Sequence, residues 1–405
     1  MRIAISALQV DPEGVGGIDR YASELLLALA KVSSPHEYLL LVRDSAAAAL
    51  RSRLGDRWKI VPVRWHIRPQ RVLWESVLIN RHLERAQIDV LHATNLFLPL
   101  SPACRTVLTV HDTLMLEMPG AFDWAKRNVG GFLFRGSLKR ADVLAVDSSS
   151  TLTGLRRIGL EGVLNKAMVT GAGVGQFFFQ RVGELEQRAV VHRLGISSPF
   201  LLYVGDLSPR KNIPMLLRSF EIAVRRYGLD HSLVLAGNPG PRSAEALEAL
   251  RRSSMRARIR QVGPVSDHDL RALYQLATAT LLISTAEGFG LPVCESLACR
   301  TPVVASNIAP MCDHVGDAGL LVDPTDAGAI AESLARISRD GELRVRLAES
   351  AERRASAMSW DAVAERVLQA YDRAGMCASG VDAQPISVGR FRLGDEAGDI
   401  PNRHS

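Results

Sequence analysis

The sequence predicts an α/β protein built from two Rossmann-like domains, each with a parallel sheet, facing one another across a central cleft. Three observations predict it. The chain has 405 residues, more than one ordinary core holds and enough for two domains of roughly 200 residues each. Short apolar runs alternate with amphipathic helical stretches, the signature of βαβ units and a parallel sheet. The alternation comes in two sets, divided by "VTGAGVGQFFFQ" (Val169–Gln180), where glycine and glutamine replace helix formers and mark a linker.

In the first set the strands are read at "RIAISAL", "YLLLVR", "VLHAT", "TVLTVHD" and "DVLAVDSS", with a helix over Arg20–Val32. In the second they are "FLLYVGD", "SLVLAG", "IRQVGPV", "ATLLIS" and "TPVVAS", with helices over Ile213–Tyr227, Ala244–Ser254 and Asp267–Ala277. A last amphipathic helix, "SWDAVAERVLQAY", runs over Ser359–Tyr371 with Ser359 as its N-cap. The domains are expected at 1–175 and 190–358, with a helix at 359–375. Residues 376–405, rich in Gly, Asp and Ser, are expected to be a flexible tail.

Composition narrows the function. The sequence is 47% hydrophobic and 23% charged, and no stretch approaches the ~18 apolar residues of a membrane span. The N-terminus reads as a buried strand rather than a signal peptide. Five scattered cysteines (Cys104, Cys294, Cys299, Cys312, Cys377) match no metal spacing or disulfide framework, which implies a reduced, cytoplasmic setting. The net charge of +6 lies in the first domain: residues 1–170 hold 22 Lys and Arg against 16 Asp and Glu. Arg43–Arg71 alone carries eight basic and two acidic residues. Such a face suits an anionic membrane surface or a phosphate-bearing substrate, and it equally suits solvated helices of an arginine-rich chain. No nucleic-acid motif accompanies it.

The chemistry concentrates in "STAEGFGLPVCESLACRTPVVAS", Ser284–Ser306. A strand ends, a glycine loop follows, and Pro292 opens a helix whose unpaired N–H groups face back toward the loop, which makes an anion site. A helix terminus gives only about 0.3–2 kcal/mol toward an anion, so a diphosphate needs cations as well. Arg210 and Lys211 in "LLYVGDLSPRKNIPMLLRSF" supply them from the end of another strand of the same domain. Glu287 and Glu295 are then acceptors for sugar hydroxyls, which points to a nucleotide-sugar. Asp267–His268–Asp269 resembles a metal-holding D-x-D, but it opens a helix and reads as a cap with acids in the first turn. No metal is called for. "GVGG" is a weak dinucleotide-loop signal, and "WHIRPQRVLWES" fits an acceptor or membrane loop as well as core.

"EGFGLPVCE" together with "VGDLSPRKN" resembles the retaining GT-B glycosyltransferases of family 4, nearest within it to bacterial enzymes adding mannose to polysaccharide precursors. "LTVHD" (108–112), "DVLHATNLFLPL" (89–100), "ADVLAVDSSST" (141–151) and "GPVSDHDLRALYQLA" (263–277) also have counterparts there. The resemblance implies an acceptor-binding first domain, a donor-binding second domain and a C-terminal helix crossing back to the first. It implies that Glu287 touches donor-sugar hydroxyls and Glu295 the ribose. Arg210 and Lys211 neutralise the leaving diphosphate, and His111 reaches across to the donor sugar. Gly16, Gly17, Gly205, Val265, Gly288, Phe289, Gly290 and Leu291 line the donor site. Where some relatives carry arginine after the "YVG" strand this chain has Asp206, which shifts phosphate neutralisation onto Arg210 and Lys211. The implied donor is GDP-mannose, or else a UDP-sugar, and the implied acceptor a glycan or polyprenyl-diphosphate-linked glycan, with peripheral contact at the inner face of the membrane. Two other readings use the same features: a sugar-nucleotide epimerase of the same fold, and a silent nucleotide-sugar-binding subunit.

Overall fold

The computed structural model describes residues 1–10, 16–122, 124–240 and 242–376. The expected tail, past Met376, lies outside the described residues, as do Gly14 and Val15 of the "GVGG" loop.

The first sheet has seven parallel strands, β1 (Arg2–Ala7), β2 (Glu37–Arg43), β3 (Trp58–Val63), β4 (Val90–Ala93), β5 (Arg105–Val110), β6 (Val143–Val146) and β7 (Ala167–Val169). Their order is β3-β2-β1-β4-β5-β6-β7. The second has six, β8 (Phe200–Val204), β9 (Ser232–Ala236), β10 (Ile259–Gly263), β11 (Ala279–Leu282), β12 (Val303–Ser306) and β13 (Gly319–Val322), ordered β10-β9-β8-β11-β12-β13. Central strands such as β4 and β11 are buried at every position. Helices cover both faces, and so these strands read as continuous apolar runs.

Three strands go beyond those read from the sequence: β3, β7 and β13. Each lies at a sheet edge. All three are partly solvated, β7 and β13 are short besides, and Pro62 inside β3 is tolerated because an edge N–H needs no ladder partner. The helix over Ile213–Tyr227 has the expected bounds, Pro292 lies at the second position of the Leu291–Ala298 helix, and the last helix runs Trp360–Met376.

Strand order reverses between β1 and β4 in one sheet and between β8 and β11 in the other. Ligands bind at such switch points, beyond the carboxyl ends of the strands. Both sheets present theirs to the cleft.

The chain crosses between domains twice, and the crossings lie side by side. Val174 N–H donates to Met358 C=O at 2.9 Å. A methyl group on Gly173 would come within 2.7 Å of Trp360, so only glycine lets the two strands of chain touch. Beyond this point the final helix packs its Val363, Val367, Ala370 and Tyr371 face against Ile3, Ile5, Tyr21 and Leu25 of the first domain. Its polar anchor is fully buried: His92 on β4 meets Tyr371 Oη through Nδ1 (2.7 Å) and Thr109 Oγ1 through Nε2 (2.8 Å).

Candidate functional site

Two loops of the second domain meet beyond the switch point. The loop after β8 starts at Gly205, whose φ of +145° and closeness to Tyr203 Oη suit a residue without Cβ. It then makes one 3₁₀ turn over Pro209–Lys211 before the Ile213–Tyr227 helix. The loop after β11 runs to Gly290, where φ is +88° and a side chain would run into Met311. Backbone joins the two loops: Thr285 N–H donates to Arg210 C=O at 2.8 Å.

Glu287 is the centre of the junction. Its Oε1 accepts from Lys211 Nζ (2.6 Å) and Ser284 Oγ (2.6 Å), and its Oε2 accepts from Arg210 Nη1 (2.8 Å). Burial alone would raise the Glu287 pKa, but the two cations outweigh it and hold the carboxylate below its ordinary value. Lys211 is itself buried, and burial with Arg210 nearby leaves it more easily deprotonated than a surface lysine. Arg210 also lies 3.8 Å from Asp206, so the two cations are shared between Glu287 and a second carboxylate.

Glu295, on the Leu291–Ala298 helix, is buried too. Its Oε2 accepts from Tyr274 Oη at 2.9 Å, and its Oε1 accepts from Arg20 of the first domain. Arg20 also pairs with Asp267. Ser266 caps the Asp267–Leu276 helix through the Asp269 N–H (3.1 Å), while Asp269 binds Arg193 (2.6 Å) and His268 faces Glu186. The three residues of the D-x-D thus diverge, and among the described residues no group of His, Cys, Asp or Glu is placed to hold a metal ion.

From the first domain, Gly16 and Gly17 begin the Gly17–Lys31 helix, and a methyl group on Gly17 would touch Leu291 at 3.6 Å. Phe289 packs against both domain cores, Leu291 against the first and Val265 against the second. His111 follows β5, but both its nitrogens are taken within its own domain, Nδ1 by Asp147 (2.7 Å) and Nε2 by Thr94 C=O (3.1 Å). Burial disfavours its charge, yet Asp147 outweighs this and raises its pKa, favouring the charged form. Asp112 beside it faces the 284–290 loop: a methyl group on Gly288 would sit 2.8 Å from Asp112 Oδ2. Asp112 spends Oδ1 on the Leu114 N–H (3.0 Å), and burial raises its pKa.

Arg20, Tyr274 and Asp112 are site residues that the sequence reading missed. Arg20 had a signal: a cation in the first turn of a helix opposes the macrodipole and wants another reason to be there. Tyr274 and Asp112 had none, since an apolar helix stripe and a turn-forming acid are ordinary features.

Residues 189–354 match the family model described as glycosyl transferases group 1, and residues 15–165 match glycosyltransferase family 4. Among curated proteins, the chain is 33% identical over 172 residues to the O-antigen chain mannosyltransferase B of Escherichia coli, across 42% of this chain and 45% of that one. The matched stretches span about half the length of the curated relatives. Among solved structures, the sucrose-phosphate synthase of Thermosynechococcus elongatus superposes with a TM-score of 0.71 at 21% identity, over 93% of this chain and 99% of that one. Anabaena HepE, solved in complex with UDP-glucose, gives 0.71 at 16% identity over 92% and 99%. At such identities the likeness is one of fold.

Proposed function

The chain belongs to the family 4 glycosyltransferases of GT-B fold, matched over both of its domains, and from that premise we propose that it moves a sugar from a nucleoside diphosphate to a glycan or lipid-linked glycan, with retention of configuration. Mannose from GDP is the first choice of donor, supported by the likeness to the E. coli mannosyltransferase. A UDP-sugar is the second, supported by the fold shared with the UDP-glucose-binding HepE.

One observation carries the reading: Arg210, Lys211 and the 284–287 loop come together around Glu287. As a diphosphate leaves, negative charge grows beside two cations already held in place, the kind of electrostatic term that dominates many enzymes. A carboxylate offers about four lone-pair sites. Glu287 uses three, so one sugar hydroxyl completes it. Asp112 Oδ2 approaches the bend at 288–290 from the first domain and is placed to accept from a hydroxyl of either substrate. On this reading a donor phosphate oxygen takes the acceptor's proton.

Thermal unfolding with GDP, UDP, ADP and dTDP tests the reading. A nucleotide at 100 times its Kd adds about 2.7 kcal/mol, worth roughly 5–10 °C for domains of this size. GDP is expected to give the largest rise, and the matching sugar nucleotide to be turned over. No rise with any of the four would end the proposal.

The membrane part rests on an inverted helical segment. Over residues 68–78, Arg71 and Glu75 face the protein while Leu73, Val77 and Leu78 are about half exposed. Trp124 and Phe132, 68% and 77% exposed, add apolar surface in the same domain. Apolar side chains turned outward in a basic domain fit an anionic bilayer. Among the described residues no helix is long and apolar enough to cross one. Co-sedimentation with phosphatidylglycerol vesicles at low salt is expected, reduced several-fold by Leu73→Ser with Phe132→Ser. Wild-type protein left in the supernatant would remove membrane contact from the function.

A further inference from the structure

Arg20 is the side chain that joins the two domains at the donor site. It leaves the first turn of the Gly17–Lys31 helix in the first domain and reaches two carboxylates of the second. One guanidinium nitrogen donates to Glu295 and another to Asp267. The group lies over the Phe178 ring, 5.3 Å from its centroid.

Glu295 depends on this contact. Its carboxylate is buried. A buried carboxylate is costly unless it is paired and hydrogen-bonded. From its own domain it receives the neutral Tyr274 hydroxyl. The cation bonded to it comes from across the cleft. Burial still raises the Glu295 pKa, Arg20 offsets part of that penalty, and the contact fixes the direction of Oε1 while the domains are together.

We infer that Arg20 is a positioning residue for nucleotide recognition: from the first domain it holds the Glu295 carboxyl in a fixed direction for the ribose hydroxyls, so that ribose affinity arises with domain closure. The inference rests on the reading of Glu295 as the ribose acceptor. It gives the cleft a way to bind nucleotide weakly when open and tightly when closed. A planar fork suits the task better than an ammonium, since it bridges Glu295 and Asp267 at once.

The test compares GDP with 2′,3′-dideoxy-GDP by calorimetry, with the uridine pair in parallel. Wild type is expected to prefer the ribonucleotide by on the order of tenfold or more, the worth of a charged hydrogen bond. Arg20→Ala is expected to bring that preference below about twofold, Arg20→Lys to restore part of it, and Asp267→Asn, which leaves the Glu295 contact, to keep it. In a Glu295→Gln background, adding Arg20→Ala is expected to change ribonucleotide affinity by less than twofold. If Arg20→Ala weakens both nucleotides equally and preserves the preference, Arg20 is a clasp and the inference falls while the ribose reading stands. If wild type itself shows no preference and Glu295→Gln changes nothing, the ribose reading falls and takes the inference with it.

Discussion

Replacing Lys211 with alanine is expected to lower turnover by two to three orders of magnitude. Lys211 is buried at the junction proposed to receive the diphosphate, its ammonium on Glu287 at 2.6 Å. Removing one preorganised donor from such a site costs about 10²–10³ in kcat. The fold should survive, because Glu287 keeps Arg210 at 2.8 Å and Ser284 at 2.6 Å and is not left as an unpaired anion. A stability loss of roughly 1–3 kcal/mol is expected, the cost of an unsatisfied buried partner. Steady-state rates of donor turnover, read beside a urea melt, separate the two effects. A folded Lys211→Ala protein working within a few-fold of wild type would show that the leaving group is not stabilised here.

Acid is expected to weaken the docking of the last helix on the first domain, and His92 is the group responsible. Burial lowers its pKa from 6.5 to about 3, with nearby His111 acting in the same direction. The folded chain therefore keeps His92 neutral between Tyr371 Oη and Thr109 Oγ1 at pH values where the unfolded chain binds a proton. The unfolded state then holds more protons below pH 6.5, so stability is complete above that value and falls as pH drops toward 3. Each unit is worth about 1.4 kcal/mol, hence roughly 2 kcal/mol between pH 6.5 and 5. His314, in the second domain, has its pKa lowered to about 4 by burial and adds a parallel loss. His92→Gln removes the first contribution and leaves the second. The urea midpoint of this variant should therefore fall less steeply with pH than that of wild type. Equal slopes would assign the acid sensitivity elsewhere.

The elements legible in the sequence were those whose local signals agree with the tertiary outcome. "ATLLIS" is apolar throughout because β11 is buried on both faces. Pro292 marks the second residue of its helix because a missing N–H costs nothing there. The convergence of Arg210–Lys211 with the 284–290 loop followed from topology, since β8 and β11 are neighbours. The edge strands β3, β7 and β13 fell outside because partly solvated strands leave a faint apolar pattern. Pro62 would even have argued against one of them.

What the sequence by itself determined is the fold of two parallel-sheet domains and the loops that set two cations, a glycine bend and a carboxylate at the ends of adjacent strands. Those residues lie in one domain and their positions follow from strand order, which periodicity encodes. What only the tertiary structure decided lies across the cleft. Arg20 reaches Glu295, His111 turns to Asp147 and Thr94, and Asp112 takes the place against Gly288. These pairings join residues 275 positions apart in one case and depend on how closely two cores approach. Local sequence carries no record of that distance, because side-chain direction at a domain interface is set by packing and desolvation after both domains have formed.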